Sequence, residues 1–424
     1  MTVRRLSRGS AVLFFCLAGG SARGQLVNDE VPRAATVPAR EELRRDLEES
    51  RFRLGSLRIS PKLLIENLGY NDNVNGSTTD PVSDETGTLA LGARLTLPIS
   101  TKVALRADIF PSYIWYAHEA DRRALGGRVG ASLLAFFNHL TLIGSGYATR
   151  SDSVVSTEVL AVQREDVRGA RGDLDLALLR RLSIVGNGEW QRLRYSAGGA
   201  TDPISDYSVN DRTDAAARAG LRYRFSDAVD VSLGVEGTWT DFEKLAAARD
   251  NASRAAIVGF HVQKPLLVVN FSGAYRRGEA RNGSTFPGYE EPTGSGYVSV
   301  TVVRPLDVEL TGRRRISYSL GSLQPYFLET RWGAGLRLRI GSLATLHGTA
   351  EQGRNRYTVG DRPDPSGRVD DATILGGSIE VVLSRDVSLG ASWTHTRYDS
   401  NVDEFDRRYN QFGVGLRIGR DFLR

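Results

Sequence analysis

The 424-residue chain has one cysteine, four lysines and no apolar run of membrane-helix length. A spanning helix needs about 20 apolar residues, and the longest candidate, AVLFFCLAG from Ala11 to Gly19, has roughly half that. A helical membrane protein is therefore excluded. Cys16 lies inside that run, which leaves the rest of the chain without thiol, disulfide or cysteine–metal chemistry. The lysines are Lys62, Lys102, Lys244 and Lys264, so the positive charge is carried almost wholly by arginine. Catalytic signatures are missing too. His118, His139, His261, His347 and His395 show no metal-ligand spacing, and no serine motif accompanies His395. The glycine pairs Gly144/Gly146, Gly186/Gly188, Gly333/Gly335 and Gly413/Gly415 never continue into a phosphate loop; at this spacing they share one face of a strand. No enzyme activity, metal or cofactor is expected.

What is present begins with a secretory signal. Arg4, Arg5 and Arg8 precede the apolar run and Ala22-Arg23-Gly24 follows it, so residues 1–24 read as a signal peptide and the remaining chain starts near Gln25. Losing Arg4, Arg5, Arg8 and Arg23 takes the formal charge from +5 to +1. That near-neutral balance argues against a nucleic-acid partner.

From Arg58 onward, segments of alternating apolar and polar residues are separated by turn residues, the pattern of a transmembrane β-barrel. In VDVSLGVEGTW, Val229, Val231, Leu233, Val235, Gly237 and Trp239 share one face; Asp230, Ser232, Gly234, Glu236 and Thr238 share the other. Around 330–340, Trp332, Ala334, Leu336, Leu338 and Ile340 oppose Arg331, Arg337 and Arg339. Arginine at the bilayer midplane costs about 2–4 kcal/mol on the lipid face, so its parity marks the lumen. Eighteen strands are expected, at 57–68, 87–98, 102–116, 124–137, 139–150, 164–179, 182–195, 212–225, 228–242, 252–264, 266–278, 294–304, 306–318, 325–340, 343–357, 371–384, 387–398 and 408–419. They make an all-β, antiparallel, up-and-down barrel over 57–424. Tight turns such as Ser100-Thr101, Ser226-Asp227, Arg304-Pro305 and Gly341-Ser342 alternate with longer links, which assigns the tight end to the periplasm and both barrel termini with it.

Trp115, Trp190, Trp239, Trp332 and Trp393 all fall toward the long-loop end, as an interfacial aromatic girdle would. Residues 25–56 form a periplasmic segment in which AREELRRDLEESRFR, 39–53, is a charged helix outside the bilayer. It reads as a spacer, a plug or a docking element for a periplasmic polysaccharide-export protein.

The five longest loops, 69–87, 196–211, 279–292, 358–371 and 399–406, hold eighteen acidic and three basic residues. Asp72, Asp80, Asp84, Glu85, Asp399, Asp403, Glu404 and Asp406 are thus expected at the exterior, either simply solvated or bridged by divalent cations to lipopolysaccharide and outer-membrane lipid. The inward parity carries Arg94, Arg106, Arg128, Arg218, Arg222, Arg224, Arg313, Arg315, Arg331, Arg337 and Arg339, a candidate pore lining for an anionic polysaccharide. Asp108, Asp173, Asp175, Glu236, Glu309 and Glu380 share that face, so the arginines either form a free basic stripe or brace the wall in ion pairs.

The segment LRISPKLLIENLGYNDNVNGS, entered through RLGSLRISP, resembles the opening strand of the putative β-barrel porin 2 family. The resemblance implies a barrel of this length in the outer membrane of a Gram-negative bacterium, associated with exopolysaccharide synthesis and export. A pore exporting an acidic or modified exopolysaccharide is the first expectation. A passive porin for small solutes, or a closed barrel acting as adhesin or scaffold, are the alternatives. The chain departs from outer-membrane proteins at large in placing Leu423 and Arg424 after Phe422.

Overall fold

A computed structural model describes residues 39–77, 80–156, 158–196, 207–319, 325–359, 362–363 and 367–419. The expected signal peptide, residues 25–38 and Phe422 lie outside the described residues. One α-helix, α1 (Ala39–Glu49), precedes eighteen long strands. These are β1 (Leu57–Asn71), β2 (Asp84–Pro98), β3 (Val103–Tyr116), β4 (Ala124–Phe136), β5 (Leu140–Ser156), β6 (Val159–Ala177), β7 (Leu182–Ser196), β8 (Arg212–Ser226) and β9 (Val229–Phe242). They continue as β10 (Asn251–Lys264), β11 (Leu267–Ala280), β12 (Tyr289–Val303), β13 (Leu306–Tyr318), β14 (Tyr326–Ile340), β15 (Ala344–Val359), β16 (Val369–Ser384), β17 (Val387–Ser400) and β18 (Arg407–Ile418). Each pairs antiparallel with its neighbours in sequence, and β1 pairs with β18 from Leu63↔Ile418 to Asn71↔Gln411. The sheet closes on itself, as the sequence pattern requires.

The tight-turn ends of the strands fall where expected, whereas the other ends run further. β1 reaches Asn71, β2 starts at Asp84 and β12 at Tyr289. The largest difference is the β5–β6 hairpin, where a loop over 151–163 was expected and the strands in fact run to Ser156 and from Val159. Alternation is a signal only where one face is apolar. Past that belt both faces are wet, and the backbone ladder continues without leaving a pattern in the side chains.

Inside and outside separate cleanly in β14: Arg331, Gly333, Gly335 and Arg337 are buried, while Trp332 and Leu336 are 60% and 57% exposed on the outer face. At the closing seam the β1 ladder shifts around Asn67, whose φ of 54° makes a bulge. Gly69 sits beside it, and a Cβ there would overlap the carbonyl of Phe412. The first residues of β1 have no partner on β18. Instead Phe52–Leu54 folds back on Leu57–Ile59 around Gly55 (φ 59°), covering the open edge.

Candidate functional site: the lumen and its two mouths

Most of the inward arginines meet a carboxylate on a neighbouring strand. The densest group surrounds Glu329, which has no solvent exposure. It accepts hydrogen bonds from Arg313 (3.0 Å) and Arg315 (3.2 Å), and Arg331 Nε lies 3.9 Å away. Glu351 adds a second carboxylate, 3.4 Å from Arg313 and 3.8 Å from Arg331. Arg331 also donates to Asn355 and to the Tyr398 hydroxyl, with its guanidinium 5.5 Å from the Tyr398 ring centre. Elsewhere Arg218 pairs with Glu236, Arg222 with Asp175, Arg337 with Glu309 and Arg339 with Asp307. Arg128 and Arg224 are exposed on the inner face, with no carboxylate within ion-pair distance among the described residues. The free basic stripe is thus not what the fold makes of these residues. Cross-strand bracing takes up most of the charge, and Glu329 is the member that sequence reasoning overlooked although it lies two residues before Arg331 on the same parity.

Gly353 faces Arg331 across the β14–β15 ladder, and a Cβ there would overlap Cδ and Nη1 of that arginine. The glycine is what lets the guanidinium lie flat on the wall. Gly353→Val should therefore cost about 1–3 kcal/mol through overpacking. Gly348→Val, at a site with open space around it, should be nearly neutral. Graded heating before electrophoresis would compare the two, and equal stability would refute the role given to Gly353.

The tight-turn mouth holds α1. Glu42 and Asp46 are one helical turn apart and share a face. Arg94 Nη1 lies 3.0 Å from Glu42, and Arg106 Nη2 lies 2.7 Å from Asp46. Arg94 also forms a two-pronged bond with Asp108, at 2.7 and 3.3 Å. Arg40 donates to the carbonyl of Phe136 at the end of β4. Burial raises the Asp46 carboxyl above its ordinary pKa, against the pull of Arg106 and Arg94. Of the three readings open for this helix, the solvated spacer is the one these contacts speak against: its acidic face is bound to two inward arginines.

At the opposite mouth, the tip of the β5–β6 hairpin reaches across. Glu158 is buried and accepts from the Ser319 hydroxyl, 2.9 Å to each oxygen, and from Arg368 Nη1 at 3.1 Å. Arg368 lies 4.1 Å from the Tyr357 ring centre and 3.5 Å from that of Phe405. No periodicity marks Glu158, and the sequence reading missed it. Nearby, Arg249 is fully buried, and burial pushes its pKa down to about 10.

The chain matches the putative beta-barrel porin 2 family over residues 52–420. The chain belongs to that family. No curated protein matches it. Among solved structures, a BenF-like porin from Pseudomonas fluorescens Pf-5 aligns with TM-score 0.53 and 11% identity, covering 85% of this chain and 99% of that one. OccAB3 of Acinetobacter baumannii gives 0.52 and 11%, covering 85% and 99%. OccK2 (OpdF) of Pseudomonas aeruginosa, in complex with glucuronate, gives 0.50 and 12%, covering 86% and 98%. At such identities the likeness is one of fold. It shows that this chain has the fold of those porin barrels.

On this porin-family barrel all five tryptophans point outward, Trp190, Trp239, Trp332 and Trp393 well exposed and Trp115 half-buried. The indole of Trp393 stacks on His395, whose Nδ1 is 2.8 Å from the side-chain Oδ1 of Asn410. The other histidines have unrelated surroundings: His118 lies beside Asp84, His261 beside Asn270 and His347 beside Glu309. The acidic loops are less available to cations than their composition implies. Asp84 is buried and accepts from the backbone N–H groups of Ala117, His118 and Glu119, Asp72 accepts from Asn410, and Asp399 pairs with Arg397. No cluster of three metal-binding side chains occurs among the described residues.

Proposed function

We propose that this chain is a passive diffusion pore for small hydrophilic solutes in the outer membrane of a Gram-negative bacterium, with its tight turns and both barrel termini in the periplasm. The observation that carries this reading is the closed eighteen-strand wall, apolar outside and polar within. Barrels of 16–18 strands leave an aqueous channel, whereas eight strands are filled by side chains. The braced arginines give a wall whose charges are mutually neutralised, suited to small solutes. They offer little free charge to an anionic polymer, so export of an acidic polysaccharide has weaker support than passive flow. The family membership supports the location, and α1 narrows the periplasmic mouth.

Conductance and topology test the reading together. Reconstituted in planar bilayers, the protein should give ohmic channels that pass small sugars in liposome-swelling assays; sealed bilayers would refute it. Because Cys16 is the only cysteine in the sequence, single introduced cysteines report sidedness. Thr285→Cys should react with an impermeant maleimide on intact cells and Ser342→Cys should not, and the reverse pattern would overturn the orientation.

A further inference from the structure

Several outward-facing arginines near the long-loop rim stand directly opposite another arginine in the sheet ladder. Arg168 on β6 pairs in register with Arg192 on β7, Arg254 on β10 with Arg277 on β11, and Arg397 on β17 with Arg408 on β18. Like charges directly across a ladder destabilise a sheet. Two of the pairs have a carboxylate beside them, Asp399 at 2.7 Å from Arg397 and Glu290 across the next ladder from Arg277. The first is the richest. Arg150, Asp166 and Arg194 form the next outward row of the same ladders, so four arginines on β5–β7 share one patch. Intramolecular neutralisation there is partial: Asp166 pairs with Arg150 at 2.6 Å, and Glu243 takes Arg192 at 2.7 Å and Arg194 at 3.6 Å. Arg168 is exposed, with no acidic partner within ion-pair distance among the described residues. The row below is Trp190↔Ala170, and Trp190 is 45% exposed. The patch therefore begins where the apolar belt ends, at the depth of lipid headgroups.

We propose that Arg150, Arg168, Arg192 and Arg194 form a binding site for the phosphate groups of lipopolysaccharide in the outer leaflet, with Trp190 set against its acyl region. The Arg397–Arg408 pair, beyond Trp393 on the same strands, repeats the arrangement. The planar guanidinium suits phosphate through paired N–H donors, and two such forks opposed at ladder spacing grip one phosphate from both sides. Outward carboxylates close by, such as Asp166 and Asp371, limit the net charge, so recognition rests on local geometry rather than on a broad positive field. The proposal rests on the outer-membrane reading above.

The test uses the purified full-length protein in detergent, with purified lipopolysaccharide, the same lipid after phosphatase treatment, phosphatidylglycerol micelles and inorganic phosphate as separate probes. Lipopolysaccharide should raise the unfolding temperature and bind about tenfold more tightly than the dephosphorylated lipid. Arg168→Gln/Arg192→Gln should abolish that difference, and Arg168→Lys/Arg192→Lys should keep part of it. Heat-modifiable migration shows whether each variant is folded, and Lys102→Gln, exposed at the tight-turn end, should behave as wild type. Equal binding of both lipids, an unchanged double glutamine variant, or an equal response to inorganic phosphate would each overturn the site. Fractionation of cells reads the location separately. A chain found outside the outer membrane would sink the location while leaving the binding result in detergent standing on its own.

Discussion

A chain that starts at Phe52, produced behind the same signal peptide, should conduct severalfold more current than the full-length protein and should prefer anions. An α-helix with its side chains occupies a cylinder of about 10 Å, a large share of the mouth of a barrel of this size. The acidic face of α1 also holds two inward arginines at that mouth. Arg106 has Glu42 and Asp46 as its ion-pair partners, while Arg94 keeps Asp108 when the helix leaves. Truncation thus widens the path and uncovers one full positive charge at its narrow end, which is the charge arrangement that sets selectivity. Glu42→Gln/Asp46→Asn separates the two effects, since it weakens docking without shortening the chain. Single-channel recording in asymmetric salt reads both quantities. Unchanged conductance in the truncated chain would mean that α1 does not narrow the path.

The second large effect is expected at Glu329. Replacing it with Gln leaves Arg313 and Arg331 sharing Glu351 and takes from Arg315 its carboxylate partner, in a wall where each guanidinium is buried or nearly so. Breaking a buried pair by removing one partner costs about 3–5 kcal/mol, because a charge is left uncompensated. The heat-modification midpoint should fall accordingly, and the reversal potential should move toward anion selectivity. Changing Arg331, Arg337 and Arg339 together to Gln should do the opposite and favour cations, because it takes the arginine partners from Glu309 and Asp307 while Glu329 keeps Arg313 and Arg315. A wild-type pore with strong anion selectivity, lost in that triple variant, would show instead that the arginines act as a free stripe.

The strands were legible because lipid outside and water inside write a two-residue period into the sequence. Trp332, Leu336 and Arg337 announce their faces without any knowledge of their neighbours. Pairing was less legible. Arg313, Arg315 and Arg331 are visibly inward, but their shared attachment to Glu329 depends on ladder register, which places β13 against β14. Glu42 and Asp46 carry the i, i+4 spacing of a helix face, yet nothing local says that the face meets β2 and β3 rather than solvent. Asp84 looks like one more acidic loop residue until four backbone N–H groups, those of Glu85, Ala117, His118 and Glu119, are seen to converge on it. What the sequence conceals is long-range pairing of charges whose individual positions it already displays.

The Glu158 contacts carry a consequence for assembly. Its partners Ser319 and Arg368 stand 161 and 210 residues further along the chain, at the ends of β13 and β16. Closing chain segments of that length has an entropic cost that only neighbouring native contacts offset, so these bonds form after the late hairpins have joined the sheet. Until then the β5–β6 tip lacks its bonds to Ser319 and Arg368. A partly built barrel is therefore less obstructed at its long-loop end, and the crossing hairpin settles into place as a late event of folding.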